Sequence, residues 1–125
     1  MTLRRIRLEL ARTPEFPEGS ALRGYDFTAP LDEHGRIDHK EWERYRGACT
    51  VHRFWEGQDN EQGVLARTKA GRWVFSYAPG EDDDEPIFRL ASHRFVEGEY
   101  LSITEHDGVA RPFRVVAVKK AAVTP

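Results

Sequence analysis

The sequence predicts a mainly β fold: a small antiparallel β-barrel or sandwich of about 7–8 short strands, with one short helix near residues 38–46. Three observations carry this. Apolar residues alternate in short segments from Gly63 to Val118. Turn signals cut those segments at Lys69-Ala70-Gly71, Pro79-Gly80, Glu97-Gly98 and Asp107-Gly108, and Asp-Gly between alternating residues is a strong hairpin signal. Only one stretch, beginning at Asp38, carries a helix start.

The first strand spans Leu3 to Arg12, with Ile6, Leu8 and Leu10 on one face and Arg5, Arg7 and Glu9 on the other. Such outward charges also guard a sheet edge. Pro14, Pro17 and Gly19 mark a loop up to Ser20. Tyr25, Phe27 and Ala29 form a second, short strand ending at Pro30, followed by a turn at Asp32-Glu33-His34-Gly35. Asp38 and Glu41 fit a capping box. Trp42 and Tyr45 share one helix face, and Gly47 stands where a left-handed helix end is expected. A helix of about two turns does not stand alone, so Trp42 must dock on the sheet.

Ala48 to Trp55 reads as a central strand, with Ala48, Thr50, His52 and Phe54 on one face and Cys49, Val51, Arg53 and Trp55 on the other. Glu56 to Gln62 reads as a polar loop. Val64 to Thr68 and Arg72 to Tyr77 make a hairpin, with Trp73, Phe75 and Tyr77 on one side of its second arm. A three-residue loop ending in Gly suits a type I turn with a G1 bulge. Ala78 to Pro86 reads as a loop and Ile87 to Leu90 as a short strand. Tyr100 to Glu105 and Val109 to Val118 form a last hairpin around His106-Asp107-Gly108. Pro112 inside it implies an edge position or a bulge, and Lys119 to Pro125 reads as a frayed tail. Local hairpins predict a meander, bent into a barrel with the helix plugging one end.

At 125 residues, 39% hydrophobic and 32% charged, the chain has the length and composition of one globular domain over residues 1–125. A net charge of −2 lacks the basic surplus of a dedicated nucleic-acid binder. Cys49 is the only cysteine, so no internal disulfide forms. The N-terminus alternates where a signal peptide would carry an apolar run, and no apolar run is long enough to span a membrane. The expected location is cytoplasmic.

Several phrases stand together: Gly24-Tyr25-Asp26-Phe27 with Ala29-Pro30-Leu31, Gly35-Arg36-Ile37-Asp38, Arg53-Phe54-Trp55, Gly98-Glu99-Tyr100-Leu101-Ser102-Ile103, and Phe113-Arg114-Val115-Val116. On these the chain resembles a group of small bacterial proteins of unknown function that carry similar phrases in this order. The resemblance spans nearly the whole chain and implies one domain. It implies no activity, cofactor or catalytic residue.

Four constellations could carry chemistry. The run Glu81-Asp82-Asp83-Asp84-Glu85 lacks the alternating ligand spacing and glycine of a calcium loop, and reads as a solvated loop. His34, Asp38 and His39 could meet near the helix start, but sequence supplies no further metal ligand. Cys49 and His52 are three apart on one strand and so point to opposite faces; a thiol–imidazole dyad would need another histidine, such as His93. Trp55, Trp73, Phe75 and Tyr77 lie near Arg53, Arg67, Lys69 and Arg72, the aromatic-plus-basic pattern of single-strand binders. The same aromatics alternate as core residues do.

Strong fold signals without a catalytic constellation point to a non-enzymatic binding or interaction module. Its partner would be a protein or small ligand, and no cofactor is called for. The alternatives are a single-stranded nucleic-acid binder using Arg53, Trp55, Arg67, Lys69, Arg72 and Trp73, and a small metal-dependent enzyme using the acidic run or His34 and His39. Exposure of Trp55 and Trp73 separates the first two.

Overall fold

The computed structural model describes residues 3–77, 85–86, 94–105 and 107–121. The elements are β1 (Leu3–Leu10), β2 (Ser20–Pro30), α1 (His39–Arg44), a 3-10 turn (Arg46–Ala48), β3 (Thr50–Trp55), β4 (Glu61–Arg67), β5 (Trp73–Ser76), β6 (Glu85–Pro86), β7 (Tyr100–Thr104) and β8 (Ala110–Lys120). All strand pairs are antiparallel, in the order β6-β5-β4-β3-β2-β1-β8-β7. The sheet curls into a half-barrel, and its edge strands β6 and β7 come within 8 Å of each other.

The first five strands are the expected meander, and β6 extends it by one short strand. The final hairpin leaves it: β8 returns beside β1, far from β6 in the order. This makes β1 an interior strand, so its arginines guard no edge. Pro112 is also interior, opposite Ser102 of β7. Its carbonyl accepts from Ala11 N–H at 3.0 Å. A strand residue's N–H and C=O point to the same side, so the missing proline N–H falls where β1 has ended at Leu10.

Inward positions alternate as the sequence requires. Ile6, Leu8, Tyr25, Phe27, Val51, Leu65, Phe75, Ile103, Phe113 and Val115 are each at most 2% exposed. The Tyr25 ring lies 5.0 Å from Phe75 and 5.2 Å from Phe113, and Phe27 lies 5.1 Å from Phe75 and 5.4 Å from Phe95. Each such side chain stabilises the fold by roughly 1.5–3 kcal/mol on burial, which is why the concave side is filled by rings rather than left as a hollow.

The helix is shorter than residues 38–46. Asp38 Oδ1 accepts from Glu41 N–H at 3.1 Å, forming half of the capping box. The other half is absent, because Asp38 N–H donates to Pro30 O and the Glu41 carboxylate pairs with Arg44. Gly47 is not the left-handed end residue; it lies inside the 3-10 turn. Trp42 docks as required, 5% exposed, with Nε1 donating to Leu65 O at 3.0 Å and its ring 4.9 Å from Trp73.

Three strands depart from their expected bounds. β2 runs 11 residues because it pairs on both sides, and its register breaks across Ala21–Arg23. β3 starts at Thr50, since the 3-10 turn takes up Ala48. β4 starts at Glu61, inside the polar stretch read as loop, because Glu61 and Gln62 pair with Arg53 and His52. Glu85 and Pro86, also read as loop, pair with Phe75 and Val74. Both hairpin turns form as written: Gly71 and Gly108 have φ of 79° and 78°, the left-handed conformation that glycine permits. The Asp32–Gly35 turn is held by Asp32 Oδ1, which accepts from His34 and Arg36 N–H; the Arg36 bond draws its carboxyl below the ordinary range. The expected strand Ile87–Leu90 and most of the acidic run lie outside the described residues.

Gly24 is required by close approach. A Cβ there would lie 1.9 Å from Leu8 O and 3.0 Å from the Phe54 ring. No helix among the described residues is long and apolar enough to cross a membrane.

Candidate functional site

Two polar clusters arise from the two faces of the sheet. The inner one forms at the end of the sheet where β3 finishes, β4 begins and β7 runs into β8. Inward parity places Arg53 there, 6% exposed, with Glu105 at 4%. Glu105 Oε2 accepts from Tyr25 Oη at 2.7 Å and from Arg53 Nε and Nη2 at 3.2 and 3.1 Å. Its Oε1 accepts from Arg111 Nη1 at 2.9 Å. Arg53 Nη1 donates to Gln58 and lies 3.6 Å from Glu61. Trp55 lies against three guanidinium groups, with Arg53, Arg111 and Arg23 at 4.5, 5.8 and 5.9 Å from its ring. Arg111 also holds Asp107 at 2.9 Å, and this side-chain bond pulls the Asp107 carboxyl down to about 2. Every charge in this cluster faces an opposite one, the condition under which buried ions are tolerated. Its chemistry is structural.

The outer cluster follows from strand register. Arg5 stands opposite Thr28, Arg7 opposite Asp26, Asp26 opposite His52, and His52 opposite Gln62. Thr28 and Thr50 adjoin the paired Phe27 and Val51. Small side chains at Thr28, Thr50 and Gly63 leave a groove of about 400 Å³ lined by Arg5, Asp26, Thr28, Thr50, His52 and Gln62. Asp26 is held by Arg7 at 3.1 Å. His52 Nε2 is buried and has no hydrogen-bond partner among the described residues. A buried polar atom without a partner costs stability and calls for an explanation. A second hollow of about 660 Å³, between the chain 9–21 and β8, is flanked by Tyr100, Arg12 and Arg114. It contains no such buried orphan among the described residues.

The six sequence-derived candidates fall into separate places. Arg53 and Trp55 belong to the inner cluster. Arg67 and Trp73 pack at the opposite end: Arg67 Nη1 lies 2.8 Å from His39 Nδ1 and its guanidinium 5.5 Å from the Trp73 ring. Trp73 is only 5% exposed, so it presents no face for a base to stack on. Lys69 and Arg72 are exposed beside the β4–β5 turn. The structure does not gather them on one surface.

Cys49 is fully buried in the core, and burial pushes its thiol up to about 11. His52 faces outward, so the pair forms no dyad; His93 lies outside the described residues. His34 pairs with Glu33, while His39 goes to Glu43 and Arg67. Among the described residues, no three His, Cys, Asp or Glu side chains gather closely enough to hold a metal. Sequence reasoning missed Glu105, Tyr25 and Arg111 as a cluster, and Thr28, Thr50 and Gln62 as groove lining. Outward parity was visible for Thr28 and Thr50, whereas Gln62 fell in the stretch read as loop; the adjacency of all three is a matter of register.

Fold and groove together define a curled antiparallel half-barrel with a filled inside and a polar hollow on its outer face. Comparison with family models, curated proteins and solved structures finds no match for this chain.

Proposed function

We propose that this chain is a non-enzymatic binding module that takes a small polar ligand in the outer groove around His52. The observation that carries this is the groove itself, where strand register sets His52 between Asp26 and Gln62 and brings Thr28 and Thr50 to the same lining. The side chains of Thr28, Thr50 and Gln62 bring further hydrogen-bonding groups to the same hollow. The concave side offers less, since Tyr25, Phe27, Phe75 and Phe113 fill it. The oligonucleotide reading is weaker: Trp73 is buried and Trp55 is already faced by guanidinium groups. A cytoplasmic location is part of the same proposal, in keeping with a single free, buried cysteine.

The test is an amide-resolved screen of small polar metabolites against the whole protein. Hits are expected to shift the signals of Thr28, Thr50, His52 and Gln62. Shifts confined to other surfaces, or turnover of a hit compound, would overturn the reading.

A further inference from the structure

We infer that the groove ligand is a small molecule carrying an oxyanion, a phosphate monoester or a carboxylate, with hydroxyl or amide groups beside it. This rests on the groove being the binding site and adds the chemistry of what it takes.

β8 carries a bulge where it passes Arg7 and Leu8 of β1. Arg7 pairs with Ala117 and Leu8 with Val115, so Val116 is an extra residue. An unbroken register would set Val118 opposite Arg5. The bulge instead sets Val118 opposite Ile6 and Lys119 opposite Arg5. Like charges directly opposite one another on neighbouring strands are destabilising. Neither Arg5 nor Lys119 has an ion-pair partner among the described residues, and both are exposed.

Their surroundings differ from those of Arg7, the next outward residue of β1. One step along β1, Arg7 is held by Glu9 at 2.8 Å and Asp26 at 3.1 Å. Asp26, the only carboxylate among the described residues that line the groove, is thereby occupied. Arg5 lines one end of the groove, and Lys119 stands directly opposite it on the neighbouring strand β8, just outside the lining. The rest is lined by the Thr28 and Thr50 hydroxyls, the His52 imidazole and the Gln62 amide. Paired cations recognise an oxyanion by charge-assisted hydrogen bonds. Hydroxyl and amide groups recognise a polyhydroxy or amide body. A volume of about 400 Å³ suits one small molecule rather than a polymer.

The test titrates the whole protein with ribose 5-phosphate, gluconate, ribose and a short oligothymidylate, reading amide shifts at low and moderate salt. Ribose 5-phosphate or gluconate is expected to shift Thr28, Thr50 and His52, and the one that binds more tightly identifies the oxyanion. Binding should weaken with salt, and about tenfold on Arg5→Gln or Lys119→Gln, the loss of one charge-assisted contact. Arg114→Gln, an exposed change outside the groove, should leave it unaltered. Equal binding of ribose would overturn the oxyanion while leaving the groove as the site. Silence of the groove with all four probes would overturn both. Tighter binding of oligothymidylate on this face would replace the small ligand by a nucleic-acid strand.

Discussion

Tyr25 Oη donates a 2.7 Å hydrogen bond to Glu105 Oε2, joining β2 to the end of β7 across 80 residues of chain. Tyr25 is 0% exposed and Glu105 4%. The carboxylate also takes two bonds from Arg53 and one from Arg111, so one side chain ties together β2, β3 and the last hairpin. Glu105→Ala strands a buried guanidinium and should cost about 3–5 kcal/mol. Tyr25→Phe removes one hydrogen bond and should cost about 1 kcal/mol. Urea unfolding measures both; equal costs would show that Glu105 is not the hub.

The acid limb of stability should carry a contribution from Asp107. Its folded carboxyl sits at about 2, below the ordinary 3.8, chiefly through the Arg111 side chain and then the Val109 N–H. A lowered folded value means that the ionised form stabilises the fold. That contribution is full above the ordinary value and is lost as pH falls towards about 2. The side chain is half exposed, so solvent screening keeps the effect small. Asp107→Asn should flatten this part of the profile in urea midpoints measured from pH 5 to pH 2, conditions set by the linkage argument at about these values.

Gly24→Ala should be severe, about 3 kcal/mol, the upper end of overpacking costs. The added methyl would meet Leu8 O at 1.9 Å, and a strand backbone gives way less readily than a side chain. Gly47→Ala is the control, since a Cβ there meets nothing within 4 Å. Comparing the thermal midpoints of the two variants checks this.

Trp42 anchors a helix of 6 residues that has too few turns to persist alone. Trp42→Ala should cost about 3–5 kcal/mol and release the amide protons of α1 to exchange faster than those of β1. Retained protection of α1 in the variant would show that the helix is held by other contacts.

Cys49 should behave as a core residue. With the thiol buried and raised to about 11, it should resist iodoacetamide in the folded protein and react once unfolded in urea. Modification at equal rates in both states would contradict the burial.

Most strands and both hairpin turns were legible in the chain because each depends on near neighbours, and a helix too short to stand alone required Trp42 to dock; β6 was not, since Glu85 and Pro86 read as loop. Alternation at Ile6-Leu8-Leu10 or Trp73-Phe75 needs only a period of two. The turns at Gly71 and Gly108 need only a residue that accepts positive φ. The ends of β3 and β4 were less legible: Glu61 and Gln62 are polar in themselves and become strand only because Arg53 and His52 offer a ladder.

The sequence by itself determined which residues face inward and where the chain reverses. The tertiary structure alone decided which strands are neighbours. Whether β8 lies beside β1 depends on how all the inward rings pack together, a sum over distant contacts that no local window contains. That placement sets Lys119 against Arg5, brings Glu105 to Tyr25 and Arg53, and turns an expected edge strand into an interior one. The groove around His52 likewise exists only because β1 to β4 stack in one register. A slip of one residue would turn its polar side chains into the core.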